Sequence, residues 1–141
     1  MIRGINHVTL AVADLGRALT FYQDVLGLHV AAVWSRGAYL EAGALWLCLS
    51  QDDARRPEPS PDYTHIAFDV ADADFALLAS RIAAASPQWR NNRSEGNSLY
   101  FLDPDGHKLE LHVGSLHSRL AHYRSAPPPG MTLFPLGDES K

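Results

Sequence analysis

Asn6-His7-Val8-Thr9-Leu10-Ala11-Val12-Ala13-Asp14 and Thr64-His65-Ile66-Ala67-Phe68-Asp69-Val70-Ala71-Asp72 are one pattern written twice. His, Val, Ala and Asp recur at an offset of 58 residues, four identities in nine aligned positions. The first copy alternates like a half-buried strand, with His7, Thr9 and Ala11 on one face and Val8, Leu10 and Val12 on the other. Ile5–Val12 is the expected strand, and Asp14 is placed to cap the helix that follows. Leu15, Ala18, Leu19, Tyr22, Val25 and Leu26 then keep helical spacing until Gly27, a helix-ending glycine.

The same order of elements follows each copy. After the first come strand-like runs at 28–35, 37–41 and 45–50. After the second come a helix over 74–84 and strands near 88–90, 98–102 and 107–113. Between the copies, 52–62 holds three prolines among charged residues and reads as an exposed linker. Asp103-Pro104-Asp105-Gly106 has the residues of a turn, Leu116–Tyr123 suits a short helix, and Pro127-Pro128-Pro129-Gly130 begins a tail. The chain is therefore βαβββ, linker, βαβββ: an α+β fold of two paired modules, about 1–51 and 63–114. A single four-stranded unit leaves one sheet face uncovered, so the copies should pair. With the terminal helix the expected domain is 1–125, and 126–141 is a C-terminal tail.

Composition narrows the function. The 141 residues are 46% hydrophobic and 20% charged, which suits a globular domain and not a disordered one. A net charge of −4 argues against a general nucleic-acid binder. No apolar run reaches membrane-spanning length, and the N-terminus has no signal-peptide pattern, so a cytoplasmic protein is expected. Cys48 is the single cysteine, which leaves no internal disulfide and no cysteine-based zinc cage.

Seven histidines invite a search for metal ligands. His7 and His65 hold matched positions on the first strand of each module, so a pseudo-twofold brings such positions together. Glu110 lies in the last strand of the second module, with Leu109 and Leu111 turned to the opposite face. Two imidazoles and a carboxylate suit Mn, Fe, Co, Ni or Zn and leave coordination positions open. A strand histidine is more often structural than ligating. That reading is kept for His29, His107, His117 and His122, and for His112, which shares a face with Glu110 and is the nearest rival ligand. Arg90, Arg93 and Arg119, beside the hydroxyls of Thr9, Ser94, Ser98 and Tyr100, suit a phosphate or phosphonate. The oxygen-rich loop 92–98 suits a hard cation. Trp34, Tyr39, Trp46 and Cys48 are either core or the wall of a groove.

The duplicated unit with His7, His65 and Glu110 resembles the vicinal oxygen chelate superfamily, which includes glyoxalase I and extradiol dioxygenases. Within it the chain resembles the fosfomycin-resistance glutathione transferases over about residues 1–125. The resemblance is carried by Gly4–Val12, Gly37–Glu41, Leu45–Ser50, Asp62–His65, Asn92–Gly96, Tyr100–His107, Glu110–Gly114 and Ser118–Leu120. It implies a Mn(II)-dependent, K⁺-stimulated transferase that opens the epoxide of fosfomycin with the thiol of glutathione. His7, His65 and Glu110 would bind Mn(II), and Thr9, Arg90, Ser94, Tyr100 and Arg119 the phosphonate. Asn92, Ser94, Glu95, Gly96 and Ser98 would hold K⁺. Glutathione would lie along Trp34, Tyr39, Trp46, Cys48 and Ser50, with the Tyr39 hydroxyl on the thiol; Thr9, Tyr39 and Arg119 are the expected catalytic groups. The resemblance further implies a homodimer with modules swapped between chains, and a lysine where this chain has Arg90. A thiol other than glutathione, water, or ring-cleaving dioxygenase chemistry are the alternatives.

Overall fold

A computed structural model describes residues 1–137; the last four positions of the expected tail lie outside the described residues. The first module runs β1 (His7–Val12), α1 (Leu15–Thr20), β2 (His29–Trp34), β3 (Gly37–Ala42) and β4 (Leu45–Gln51). The second runs β5 (Ile66–Asp69), α2 (Asp72–Ala85), β6 (Gln88–Arg90), β7 (Ser98–Leu102) and β8 (Lys108–His112), followed by α3 (Leu116–Ser125). The sheets have the same plan: β1-β4-β3-β2 and β5-β8-β7-β6, with the first strand of each module parallel to the last. The α+β architecture of two βαβββ units expected from the repeat is what the chain adopts.

Element boundaries shift by small amounts. The first strand starts at His7 and not Ile5, and α2 starts at Asp72 and not Asp74. The helix expected to run to Leu26 is α-helical only to Thr20 and continues as a π-turn over Phe21–Val25. Its widened last turns, with Leu26 N–H donating to the Phe21 carbonyl and Leu28 N–H to the Tyr22 carbonyl, keep Phe21 and Tyr22 both buried. Asp14 caps α1 as expected, its carboxylate accepting from Arg17 N–H at 2.8 Å.

One face of each sheet is apolar. Leu10, Val12, Ala38, Leu40, Leu47 and Leu49 from the first module share a continuous core with Ile82, Phe101, Leu109 and Leu111 from the second. The 103–106 turn locks the modules together. Tyr22 Oη donates to Asp103 Oδ2 at 2.6 Å, Ala13 N–H donates to Asp105 Oδ1 at 2.8 Å, and His107 Nε2 donates to the Ala11 carbonyl at 2.7 Å. Arg17 and Arg55 both reach Asp105 Oδ1, at 3.1 and 3.4 Å. His107, read as structural, spends its ring on this seam.

The opposite sheet faces carry the unusual residues. On the first, Trp34, Tyr39 and Trp46 keep 44%, 37% and 38% of their surface exposed, too much for core aromatics. Antiparallel pairing and pleat place the candidate site on these faces and not in the shared core.

Candidate functional site

On the second module, strand register lines up a row of side chains. Ala67 of β5 pairs with Glu110 of β8, Glu110 with Tyr100 of β7, and Tyr100 with Arg90 of β6. Alternation along β8 buries Leu109 and Leu111 in the core and turns Glu110 to the other face. Just before β5, His65 swings over this row. Its Nε2 stands 3.0 Å from Glu110 Oε2, and its Nδ1 is 2.8 Å from the Tyr63 carbonyl.

That carbonyl only accepts, so Nδ1 carries a hydrogen, and Nε2 faces a carboxylate oxygen. Two lone-pair atoms at this separation need a proton or a cation between them. His7 repeats the arrangement: its Nδ1 lies 2.8 Å from the Asn6 side-chain carbonyl, which frees Nε2. An Nδ1–H held by an outer acceptor is how ligating histidines are oriented, so the donor chemistry of His7, His65 and Glu110 fits a divalent cation. Among the described residues, however, no three His, Cys, Asp or Glu side chains converge closely enough to hold an ion. His65 and Glu110 are together; His7 sits on the other sheet, stacked on Trp46 at 4.4 Å.

The remaining Glu110 oxygen is also occupied. Ser98 Oγ donates to Oε1 at 2.7 Å and lies 2.7 Å from His112 Nδ1, and Arg119 Nη2 is 3.4 Å from His112 Nε2. Donor counting gives one direction: Arg119 donates to His112 Nε2, His112 Nδ1–H to Ser98, and Ser98 to Glu110. His112, read from the sequence as structural, is a hydrogen-bonded link that runs from Arg119 through Ser98 to Glu110. Glu95 braces Arg119 from the other side, with Oε2 at 3.3 Å from Nε. In the same loop the Asn92 side chain donates to the Gly96 carbonyl at 2.8 Å and accepts from Ser94 N–H and Oγ at 3.0 Å each. The Asn92 side-chain oxygen and the Gly96 carbonyl are thus paired within the loop, while Glu95 and Ser98 turn to Arg119 and Glu110.

Tyr100 is buried against Trp89 at 5.1 Å and His65 at 5.9 Å. Burial raises its phenol above the ordinary value, Tyr63 and the Glu110 charge add to this, and Ser94 pulls the other way. At neutral pH Tyr100 is an O–H donor. Trp89 and Tyr63 went unnoticed in the sequence. A register irregularity between Gln88 and Arg90 sets Trp89 and Arg90 both against Tyr100, and no periodicity announces it.

On the first module, Thr9, Cys48 and Tyr39 are cross-strand neighbours in one row, and His7 and Trp46 pair in the next. His7, Trp46, Tyr39 and Trp34 form an unbroken aromatic series with centroids 4.4, 4.9 and 4.7 Å apart. Ser50 pairs with Gly37, and a Cβ on Gly37 would come within 2.3 Å of the Trp34 ring, so this glycine lets the indole approach the β3 backbone. The groove residues read from the sequence are therefore on one face, and the metal and anion residues divide between the two modules. A cavity of ≈340 Å³ lined by Leu26, Leu28, Phe68, Leu78 and Phe101 lies on the apolar side and takes no part in this set.

Residues 4–111 match the family model of the Glyoxalase/Bleomycin resistance protein/Dioxygenase superfamily. The chain is 54% identical over 134 residues to glutathione transferase FosA of Serratia marcescens, covering 93% of this chain and 95% of that protein. It is 40% identical to metallothiol transferase FosB of Staphylococcus epidermidis, covering 91% and 96%. Among solved structures, fosfomycin resistance protein FosX of Listeria monocytogenes complexed with Mn(II) and sulfate superposes with a TM-score of 0.73. It shares 32% identity, over 87% of this chain and 99% of that one. A variant of that protein complexed with Mn(II) and 1S,2S-dihydroxypropylphosphonic acid gives 0.72 at 30% identity, covering 86% and 99%.

Proposed function

Because the chain belongs to the glyoxalase/bleomycin resistance protein/dioxygenase superfamily, we propose that it is a metal-dependent transferase that adds the glutathione thiol to an epoxide carbon of fosfomycin and so inactivates the antibiotic. The observation that carries this reading is the row Glu110–Tyr100–Arg90 beside His65: an imidazole and a carboxylate in contact, a neutral phenol and a guanidinium on one face. An epoxide that also bears a phosphonate needs these two kinds of group side by side. The naming of the Serratia relative as a glutathione transferase favours glutathione as the thiol.

In this reading His65 and Glu110 of one protomer and His7 of the other would hold Mn(II), which would supply Lewis-acid polarisation to the epoxide. Thr9, Arg90, Ser94, Tyr100 and Arg119 grip the phosphonate and fix the ring's orientation. Arg119, through His112 and Ser98, also steadies Glu110. Tyr39 donates its O–H to the attacking sulfur and so favours thiolate, while Trp34, Trp46, Cys48 and Ser50 line the glutathione groove. The S–C bond forms as the C–O bond breaks, and the thiol proton ends on the former epoxide oxygen. Asn92, Ser94, Glu95, Gly96 and Ser98 would hold K⁺, which would add positive charge for the bound anion.

Two protomers complete one site because His7 is parted from His65 and Glu110 within a chain, and its aromatic series has no cover. Residues 1–125 would act as one domain of two modules, about 1–51 and 63–114, with 126–141 as a tail. No helix among the described residues is long and apolar enough to cross a membrane. We place the protein in the cytoplasm, where glutathione holds thiols reduced.

Phosphorus NMR of fosfomycin with the protein, Mn(II), K⁺ and glutathione tests the proposal against a thiol-free control. A new resonance only with thiol is the expected result. The same product without thiol makes it a hydrolase, and an unchanged spectrum with any metal or thiol rejects the reading.

A further inference from the structure

Arg90 and Arg119 are held in opposite ways. Arg119 has its charge braced by Glu95, with a carboxylate oxygen and a backbone carbonyl each at 3.3 Å. Arg90 has no carboxylate partner and its side chain no hydrogen-bond acceptor among the described residues; what it touches is aromatic. Its guanidinium carbon lies 4.4 Å from the centroid of the Tyr63 ring and 5.8 Å from that of Tyr100. A ring face attracts the cation without using any N–H, so all five donors stay available to an incoming anion. Tyr63 is itself packed against His65 at 4.8 Å and Trp89 at 5.9 Å.

We propose that Tyr63 is a positioning residue: it carries Arg90 on its ring and presents the unpaired guanidinium as a donor fork to a phosphonate or phosphate. The inference rests on the anion site assigned in the preceding section and goes beyond it by naming what aims Arg90. It also explains why arginine serves here: a planar guanidinium lying on a ring presents a two-pronged edge to an anion, where an ammonium offers only a point charge. Tyr63 keeps 51% of its surface exposed, so replacing it does not open a core cavity.

The test combines turnover with binding. Y63A is expected to raise the fosfomycin KM about fivefold to tenfold, the scale of losing a partly desolvated cation–π contact, with little change in kcat or in the glutathione KM. Y63F keeps the ring and is expected to retain the parent's anion affinity. R90K should weaken the parent but add nothing once Y63A is present, because the two residues act as a unit. Binding of methylphosphonate to the metal-free protein, followed by phosphorus NMR, should rank the variants in the same order. This second arm stands even if fosfomycin is not turned over, so failure of the transferase reading and failure of the Tyr63 assignment can be told apart. Equal losses in Y63A and Y63F would assign the effect to the hydroxyl and overturn the stacking role. Unchanged methylphosphonate affinity in Y63A would overturn it outright.

Discussion

Ser98 decides how Glu110 faces the metal position. Its hydroxyl is a single donor set between two groups at 2.7 Å, and the Glu110 carboxylate can only accept. His112 must therefore donate to Ser98, which leaves its Nε2 to receive Arg119. Removing the hydroxyl in S98A breaks this chain in the middle and frees Glu110 to rotate. Groups that orient a metal ligand are worth about 10–100-fold in metal affinity, so Mn(II) binding by S98A, read from the free-ion EPR signal, should weaken on that scale. The conservative variant S98T keeps a hydroxyl at this position and should retain most of the parent's affinity. Parent-like affinity in S98A would mean that Glu110 is held without the chain. The candidate ligands themselves were legible in the sequence because duplication marks His7 and His65 by position and alternation marks Glu110. The path to Arg119 was not legible. It exists because Ser98 and His112 are register partners, and register is set by the turn and core packing of β7 and β8.

At the scale of elements, the repeat predicted both sheets because period-two alternation is a strong local signal. Two irregularities escaped it for a common reason: each depends on what lies on the far side of the backbone. The π-turn after α1 fits Phe21 and Tyr22 into the shared core, and the slip between Gln88 and Arg90 turns Trp89 toward the site. The 91–97 segment shows how tightly a connecting loop can be specified. Gly96 has φ +84°, and a Cβ there would stand 2.5 Å from the carbonyl oxygen of Val113, whose N–H donates to the Asn97 carbonyl at 2.9 Å. G96A therefore meets both a left-handed backbone penalty of about 1–2 kcal/mol and a backbone clash that no side-chain rotation relieves. A clear fall in the denaturant midpoint is expected. If the loop holds K⁺ as proposed, the rise in rate on adding K⁺ should disappear as well. A variant with the parent's midpoint and K⁺ response would show that neither φ nor contact at this position matters.

At the scale of the whole molecule, two interfaces carry different loads. The seam between modules is polar at its rim and buried at Tyr22–Asp103, where the 2.6 Å hydrogen bond crosses from one module to the other. Burial, then the charge of Asp103, raise the Tyr22 phenol well above 10. The unfolded chain loses that proton near pH 10 while the folded chain keeps it, so this contribution is complete below pH 10 and falls as pH rises beyond it. Y22F should cost about 1–3 kcal/mol at neutral pH by leaving Asp103 Oδ2 without its donor, and should flatten the alkaline loss of stability in urea melts. A parent-like alkaline slope in Y22F would assign that loss to other groups. The second interface is the one proposed between protomers. H7A and E110A should each be inactive alone. If a site takes His7 from one chain and His65 and Glu110 from the other, a mixed dimer of the two variants places both lesions in one site and none in the other. Co-expression with different tags and tandem purification should then recover activity with one working site per dimer. A site built within a single chain gives no recovery, because every site in the mixture keeps one lesion. Activity of the purified mixed dimer therefore discriminates swapped modules from paired ones, and tests in the same step whether His7 belongs to the metal set.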